Sequence, residues 1–386
     1  MIDSRERVAR VFCGRLPDRV PFFPTIFTDH ACHASGLRFE DALINPHLGP
    51  ECMLKAALRY RADAVRFTIG SSSEWFRSKT VRETDGNLVQ FDIGSGKAEG
   101  VFDVKGGGLF IPYNPPPPVA SVHDAEALPF LIAKEYIDGG FFDYVKETML
   151  LARSHGLFTV GMVGGQAISY MVDKLGGTEP ALLCFYDDPV LAKALIEKSV
   201  AVSIEKVRAF VECGVDCIYI GDSYASGSVI SPEIYEEFCL PAYQNVATEA
   251  HRLGVFCYMH CCGNYNPLLS IVPLTGIDVM DGMDPTSGMT VHHTKKILGD
   301  RLSVMGGLSC LTMLHGTTQE VYEEARHCIE AGKPGGRFIL GSGCAVPRFA
   351  PPENIDAARK AIDDWGGYGC KNQKIDYLAE PQSTQR

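Results

Sequence analysis

Short apolar runs rich in β-branched and aromatic residues recur along the chain. They are PFFPTIF (21–27), AVRFTIG (64–70), FTVGMVGG (158–165), CIYIGD (217–222), VFCYMHC (255–261), DVMDGM (278–283), SVMGGL (303–308) and FILGSGC (338–344), and each predicts a strand. Amphipathic segments separate them. Residues 188–214 and 231–254 each open on Asp or Ser beside Pro and close on Gly, the start and stop signals of a helix. Residues 317–332 and 351–366 repeat that arrangement. Eight apolar strands alternating with helices predict an α/β fold, a (β/α)8 TIM barrel.

One stretch breaks the alternation. Residues 80–125 carry short polar strand-like pieces with turns and then a proline run, which predicts an insertion after the second strand. It is expected to be a β-hairpin excursion folding over the barrel mouth, with Pro115 to Pro118 as a stiff connector. Residues 1–370 are expected to form a single TIM-barrel catalytic domain, and 371–386 a frayed C-terminal tail.

Composition narrows the function classes. Of 386 residues, 46% are hydrophobic and 22% charged, as in ordinary soluble globular proteins. The formal net charge is −11, and no basic cluster is present. That argues against nucleic acid or an anionic membrane as the main partner. The first residues lack the apolar core of a signal peptide, and no run of about 18 apolar residues occurs, so a cytoplasmic protein is expected. Fourteen cysteines in such a chain fit thiol or metal roles in a reducing compartment better than a disulfide framework.

Three of those cysteines fall in VFCYMHCCGN (255–264). Side chains alternate along a strand, so His260 and Cys262 share one side, with Cys257 and Cys261 on the other. Facing the barrel axis, the first pair would stand at the strand's C-terminal end, where barrel active sites are built. Cys344, in LGSGCAVP, ends the last strand in the same way. Two thiolates and an imidazole could bind zinc and leave a fourth position open, as catalytic zinc sites do. That set leaves the ion formally neutral, so an incoming thiol would bind as thiolate and stay nucleophilic; soft sulfur also selects zinc over magnesium or calcium. Spacing alone leaves buried structural cysteines as the alternative. A redox pair at Cys261–Cys262 is weaker, because it lacks the C-x-x-C spacing.

At these residues a family resemblance appears. YMHCCGN (258–264) with GSGCAVPRFAPPENIDA (341–357) resembles the His-x-Cys…Cys zinc pattern of the uroporphyrinogen decarboxylase superfamily. More narrowly, it is similar to the branch of cobalamin-dependent methyltransferases that includes the methylcobamide:coenzyme M methyltransferases. GRLPDRVPFFP (14–24) resembles the family opening, residues 214–243 its central strand and following helix, and LHGTTQEV (314–321) its late helix start. The resemblance implies a TIM barrel whose mouth receives the methyl-carrying corrinoid (cobalamin) of a separate protein. It also implies zinc on His260, Cys262 and Cys344. The ion would hold a thiol acceptor as thiolate, or act as a Lewis acid on the heteroatom of a methyl ether or similar donor.

The sequence departs from the decarboxylases at residues 23–41, which carry His30 and His33 but no paired arginines for a four-carboxylate tetrapyrrole. The expected function is therefore zinc-dependent methyl transfer between a small methylated substrate (ether, thiol or similar) and a partner's corrinoid. The alternatives are a decarboxylase of the uroporphyrinogen type and a non-catalytic corrinoid- or tetrapyrrole-binding barrel. A homodimer is left open.

Further candidates surround the mouth. Asp222 shares parity with Ile218 and Ile220 and is expected to face the mouth, for substrate contact, proton transfer or support of a zinc histidine; a loop cap is its plain alternative. Tyr224 either lines the pocket or packs in the loop. His30 and His33 either contact substrate or corrinoid or are ordinary loop histidines. Gln166 follows GMVGG and either faces the site from the third strand end or belongs to a structural turn, Asp281 could line the pocket from the sixth strand, and Arg348 could meet an anionic substrate group or the corrinoid.

Overall fold

In the computed structural model, which describes residues 2–45 and 47–369, eleven strands form two sheets. In chain order they are β1 (Ala64–Thr68), β2 (Lys79–Thr84), β3 (Asn87–Asp92), β4 (Ala98–Asp103), β5 (Leu109–Pro112), β6 (Phe158–Met162), β7 (Cys217–Gly221), β8 (Phe256–His260), β9 (Val279–Met283), β10 (Ser303–Leu308) and β11 (Phe338–Ser342). Seven of them make a curled parallel sheet in the order β1-β6-β7-β8-β9-β10-β11, so sequence neighbours are spatial neighbours.

The first predicted strand, 21–27, is not a strand. It is an extended segment with hydrogen bonds to both edges of the sheet. Phe23 N donates to Leu340 O at 2.8 Å and Leu340 N to Pro21 O at 3.0 Å on the β11 side. On the β1 side Asp63 N donates to Phe22 O at 2.7 Å. Pro21 and Pro24 have no N–H to give, so a continuous ladder cannot form.

Strands of a parallel sheet are buried on both faces. One set of side chains meets inside the curl: Phe23, Ala64, Phe158, Val160, Cys217, Tyr258, Val279, Met305 and Ile339 pack as one cluster. The helix Ser4–Phe12 joins this cluster through Val8, Ala9, Val11 and Phe12, and the Phe12 ring lies 5.2 Å from those of Phe158 and Phe256. Ser303 Oγ, at the start of β10, donates to Val11 O at 2.7 Å. The helix thus plugs the N-terminal end of the strands. The alternate residues, among them Val65, Phe67, Ile218, Ile220, Cys257 and Met259, pack outward against the surrounding helices.

At the same end three aspartates recur, each one residue before a strand. Asp63, Asp216 and Asp278 accept from the backbone N–H of Phe22 (2.7 Å), Thr159 (2.9 Å) and Cys257 (2.8 Å). Asp216 and Asp278 tie their strands to the start of a neighbouring strand, and Asp63 ties β1 to the extended segment 21–25.

The helices follow the sequence signals. Pro189–Glu212 is capped by Asp188, which accepts from Leu191 N at 3.0 Å. Thr318–Gly332 begins with a reciprocal Thr317–Glu320 capping box. Pro352–Trp365 occupies the last predicted helix. The segment from Pro232 to Arg252 is helical but widens into a π-turn over Tyr235–Cys239. Pro241 cannot donate into the preceding turn, and the wide turn sits just ahead of it.

The segment after β1 holds a four-stranded antiparallel sheet, β2-β3-β4-β5, where a single hairpin excursion was expected. Its first turn, Asp85–Gly86, has φ of +50° and +77°, the left-handed pair a tight hairpin demands. Arg348 reaches this sheet's β4–β5 turn, donating from Nη1 to Val104 O at 3.2 Å. The expected C-terminal tail, 371–386, lies outside the described residues. Among the described residues no helix is long and apolar enough to cross a membrane.

Candidate metal centre

On β8 the inward residues are Phe256, Tyr258 and then His260, the last of the strand. The chain then turns out through Cys261 and Cys262 to Gly263, whose φ is +85°. Cys261 passes so close to β9 that a Cβ at Gly282 would lie 2.3 Å from Cys261 O, which only glycine permits.

His260, Cys262 and Cys344 converge at the C-terminal ends of the strands. His260 Nε2 stands 3.1 Å from Cys262 Sγ, and the two sulfurs are 3.6 Å apart. One donor atom from each residue lies within 4.8 Å of the other two. Zinc–sulfur bonds of about 2.3 Å at a tetrahedral angle separate two sulfurs by about 3.8 Å, and a sulfur from an imidazole nitrogen by about 3.5 Å. The spacing therefore fits one tetrahedral ion. Asp281 Oδ2 lies 2.8 Å from His260 Nδ1, so Nδ1 donates to the carboxylate and Nε2 is the nitrogen turned to the sulfurs.

Charge is arranged around this group. Burial alone would push the His260 imidazole down, but the Asp281 carboxylate outweighs it and lifts the group to about 9. Hydrogen bonds from Cys262 and then His260 hold the Cys344 thiol well below its ordinary value. The same contact with Cys344, together with burial, pushes Cys262 up. The two sulfurs thus oppose each other's ionisation, and a bound cation would favour both as thiolates.

The other sequence candidates are placed differently. Asp222 shares parity with Ile218 and Ile220, but that parity packs against the helices, whereas Cys217 and Tyr219 take the inward side. Apolar residues on both parities of CIYIGD hid the distinction. The Asp222 carboxylate, 2% exposed, accepts from Ala167 N (3.1 Å), Ser169 N (3.0 Å) and Ser169 Oγ (2.7 Å). It is a latch for the β6 loop; the carboxylate that supports the histidine is Asp281, which was expected to line the pocket. Tyr224 is half-buried against the outer core layer.

His30 is fully buried. Its Nδ1 lies 3.1 Å from Pro347 O and its Nε2 lies 3.1 Å from Tyr60 Oη, so the ring clamps the loop behind Cys344. His33 is exposed, edge-on to Phe349 at 5.6 Å. Gln166 is buried, donating to Gly164 O, and its Oε1 has no hydrogen-bond partner among the described residues. Arg348 is held by two aromatic rings and a carboxylate. Its guanidinium lies between Phe39 (4.9 Å) and Phe349 (5.0 Å) and 3.6 Å from Glu40.

Two residues at the centre were missed. Tyr219 lies parallel to the His260 ring, 6.1 Å between centroids at 26°. Arg66, inside the curl, is 3.6 Å from Asp281. A charged residue within the apolar run AVRFTIG was the available signal for it. A cavity of about 970 Å³ opens elsewhere, outside the sheet between helices Val291–Leu298 and Thr318–Gly332, and touches none of the three donors.

A family model described as uroporphyrinogen decarboxylase (URO-D) matches residues 100–365. The chain is 29% identical over 178 residues to the methylated-thiol–coenzyme M methyltransferase of Methanosarcina mazei, covering 46% of each. It is 30% identical over 176 residues to the methylcobamide:CoM methyltransferase MtaA of Methanosarcina barkeri, covering 45% of this chain and 49% of that one. The chain thus spans about half the length of these methyltransferase relatives. A uroporphyrinogen decarboxylase of Geobacter sp. strain M21 is 30% identical over 259 residues, 64% of this chain and 72% of that one. Among solved structures, a methyltransferase from Methanosarcina mazei superposes with a TM-score of 0.72 at 20% identity, covering 94% of this chain and 99% of that one, which shows a shared fold.

Proposed function

The chain belongs to the uroporphyrinogen decarboxylase family, and from that premise we propose that it is a zinc-dependent methyltransferase. It would move a methyl group between a small methylated substrate or thiol and the corrinoid of a partner protein. The observation that carries this reading is the convergence of His260, Cys262 and Cys344. The relatives named as methyltransferases acting on methylated thiols, methylcobamide and CoM support it. We read the extended segment 21–25 as the eighth stave of a (β/α)8 barrel, and β2 to β5 as the insertion beside its mouth.

Zinc bound there would supply Lewis acidity toward the heteroatom of a methylated donor, or hold a thiol acceptor as thiolate. The chain's own residues do the rest. His260 Nε2 and the sulfurs of Cys262 and Cys344 are the three donors, and the two thiolates cancel the charge of a divalent ion. Asp281 keeps the His260 proton on Nδ1. The Tyr219 ring walls one side of the imidazole. The plug Ser4–Phe12 closes the far end, so reactants meet the donors from the C-terminal ends of the strands.

Decarboxylation is the second reading, because relatives of that name cover more of the chain. It gives no role to paired thiols. One experiment separates the two: metal analysis of the purified protein, methyl transfer with cob(I)alamin and a panel of methylated donors, methylcobalamin with thiols, and turnover of uroporphyrinogen. About one equivalent of zinc with methyl transfer in either direction is expected. A zinc-free protein that decarboxylates uroporphyrinogen would sink the proposal.

A further inference from the structure

The three donors hang from two separate places, His260 and Cys262 from the end of β8 and Cys344 from the end of β11. Two other strands lie between those ends in the sheet. Their meeting within bonding distance of one ion depends on how those two ends are held relative to each other across the curl.

Arg66 spans the curl. It points inward from β1 and is 2% exposed. Its guanidinium lies 3.9 Å from the centroid of the Phe23 ring. Nε donates to Tyr258 Oη at 2.5 Å and Nη1 to Pro24 O at 3.1 Å. Nη2 makes no hydrogen bond among the described residues; its neighbour is Asp281 Oδ2, at 3.6 Å. Each contact leads to one half of the donor set. Pro24 adjoins Thr25, which carries the end of β11: Thr25 N donates to Ser342 Oγ at 2.9 Å, and Val346 N donates to Thr25 O at 2.8 Å. Cys344 lies between those two anchors. On the other side Tyr258 shares a strand with His260, and Asp281 holds the His260 ring.

A buried ion pair is poor evidence of a purely stabilising role, since an apolar side chain of like volume commonly serves as well. We propose that Arg66 is a positioning residue of the metal centre, a cross-barrel strut that sets the separation between Cys344 and the His260–Cys262 pair. This inference rests on the metal reading above.

The test is zinc affinity, measured by competition with a chromophoric chelator, together with the thiolate-to-cobalt absorption of the Co(II)-loaded protein. Arg66→Met is expected to bind zinc at least about tenfold more weakly, the scale of losses when a ligand's outer support is removed. Its thiolate band should fall toward that of Cys344→Ala. Arg66→Lys, which keeps the charge, should recover part of both. Combining Arg66→Met with Asp281→Asn should cost less than the two single losses added, because they act through one contact. A folded Arg66→Met protein with wild-type zinc affinity and a full thiolate band overturns the proposal. If that variant does not fold, Tyr258→Phe removes only the Nε anchor; a smaller loss in the same direction is expected, and unchanged affinity overturns it. Wild-type protein that takes up no zinc fails one step earlier, at the metal reading itself.

Discussion

The two nitrogens of His260 have different partners, and that division makes the residue usable as a ligand. Nδ1 is committed to Asp281 at 2.8 Å, so Nε2 is the nitrogen that meets the sulfurs. Replacing His260, Cys262 or Cys344 by alanine should leave well under one equivalent of zinc and abolish methyl transfer; stoichiometric zinc in all three variants would exclude the site. Asp222→Asn should behave in the opposite way. It weakens the acceptor for Ala167 and Ser169, at a cost of about 1–3 kcal/mol in denaturant unfolding, while zinc content stays at the wild-type level. Zinc loss in that variant would return Asp222 to the centre. Strand parity separated His260 and Cys262 from Cys257 and Cys261 because the polar residues stand at a strand end. The same rule misplaced Asp222, since both parities of β7 are apolar and only the packed sheet tells which side holds Tyr219.

Among the elements, the strand starts depend on the three aspartates at the plugged end. Asp63 is the most heavily engaged, with Arg7 Nη1 and Arg19 Nη1 each at 2.8 Å and Ser4 Oγ at 2.6 Å. Burial works to raise this carboxyl, and Arg19 and Arg7 override it, holding it below its ordinary value. The folded state therefore prefers the ionised form. The stability it contributes is complete above the unfolded value of about 4 and drains away as the pH falls through the lower folded value. Asp63→Asn should remove about 1–3 kcal/mol at neutral pH, because Arg7 keeps Asp18 and Arg19 keeps Val20 O while both lose the buried carboxylate, and should flatten the acid limb of the stability curve. An unchanged acid limb in urea melts at successive pH values would refute this. Arg348→Ala should free the β4–β5 turn, seen as faster proteolysis near Val104, without loss of zinc.

Seven of the eight predicted strands lie inside the apolar runs that announced them. The eighth fails for a reason written in its own two prolines. Four strands after β1 were harder to foresee than one hairpin, because their residues are largely polar and the pairing of β4 with β5 depends on contact rather than composition.

At the scale of the whole molecule, the curl has one open end. The Phe12 ring, 4% exposed, fills the other against Phe158, Phe256 and Tyr258. Phe12→Ala should cost about 3–5 kcal/mol while leaving the donors in place, so that the variant unfolds early but binds zinc with near-native affinity at low temperature. The repeating order of strand and helix made this architecture legible. The plug was not, since its short sequence resembles any surface helix until the inward ring of Phe12 is seen.

The seam between residues 21–25 and β11 has a temporal consequence. Thr25 and Ser342, which bond across it, are 317 residues apart in the chain. During synthesis the segment 21–25 can meet Asp63 early, but its seam with β11 cannot form until that distant strand has been made, and contacts so distant are slow to form. Cys344 lies just past β11, so the zipping of that seam and the arrival of the third donor are one event. Newborn chains would carry the His260–Cys262 half of the site, able to hold an ion only loosely, until that seam zips.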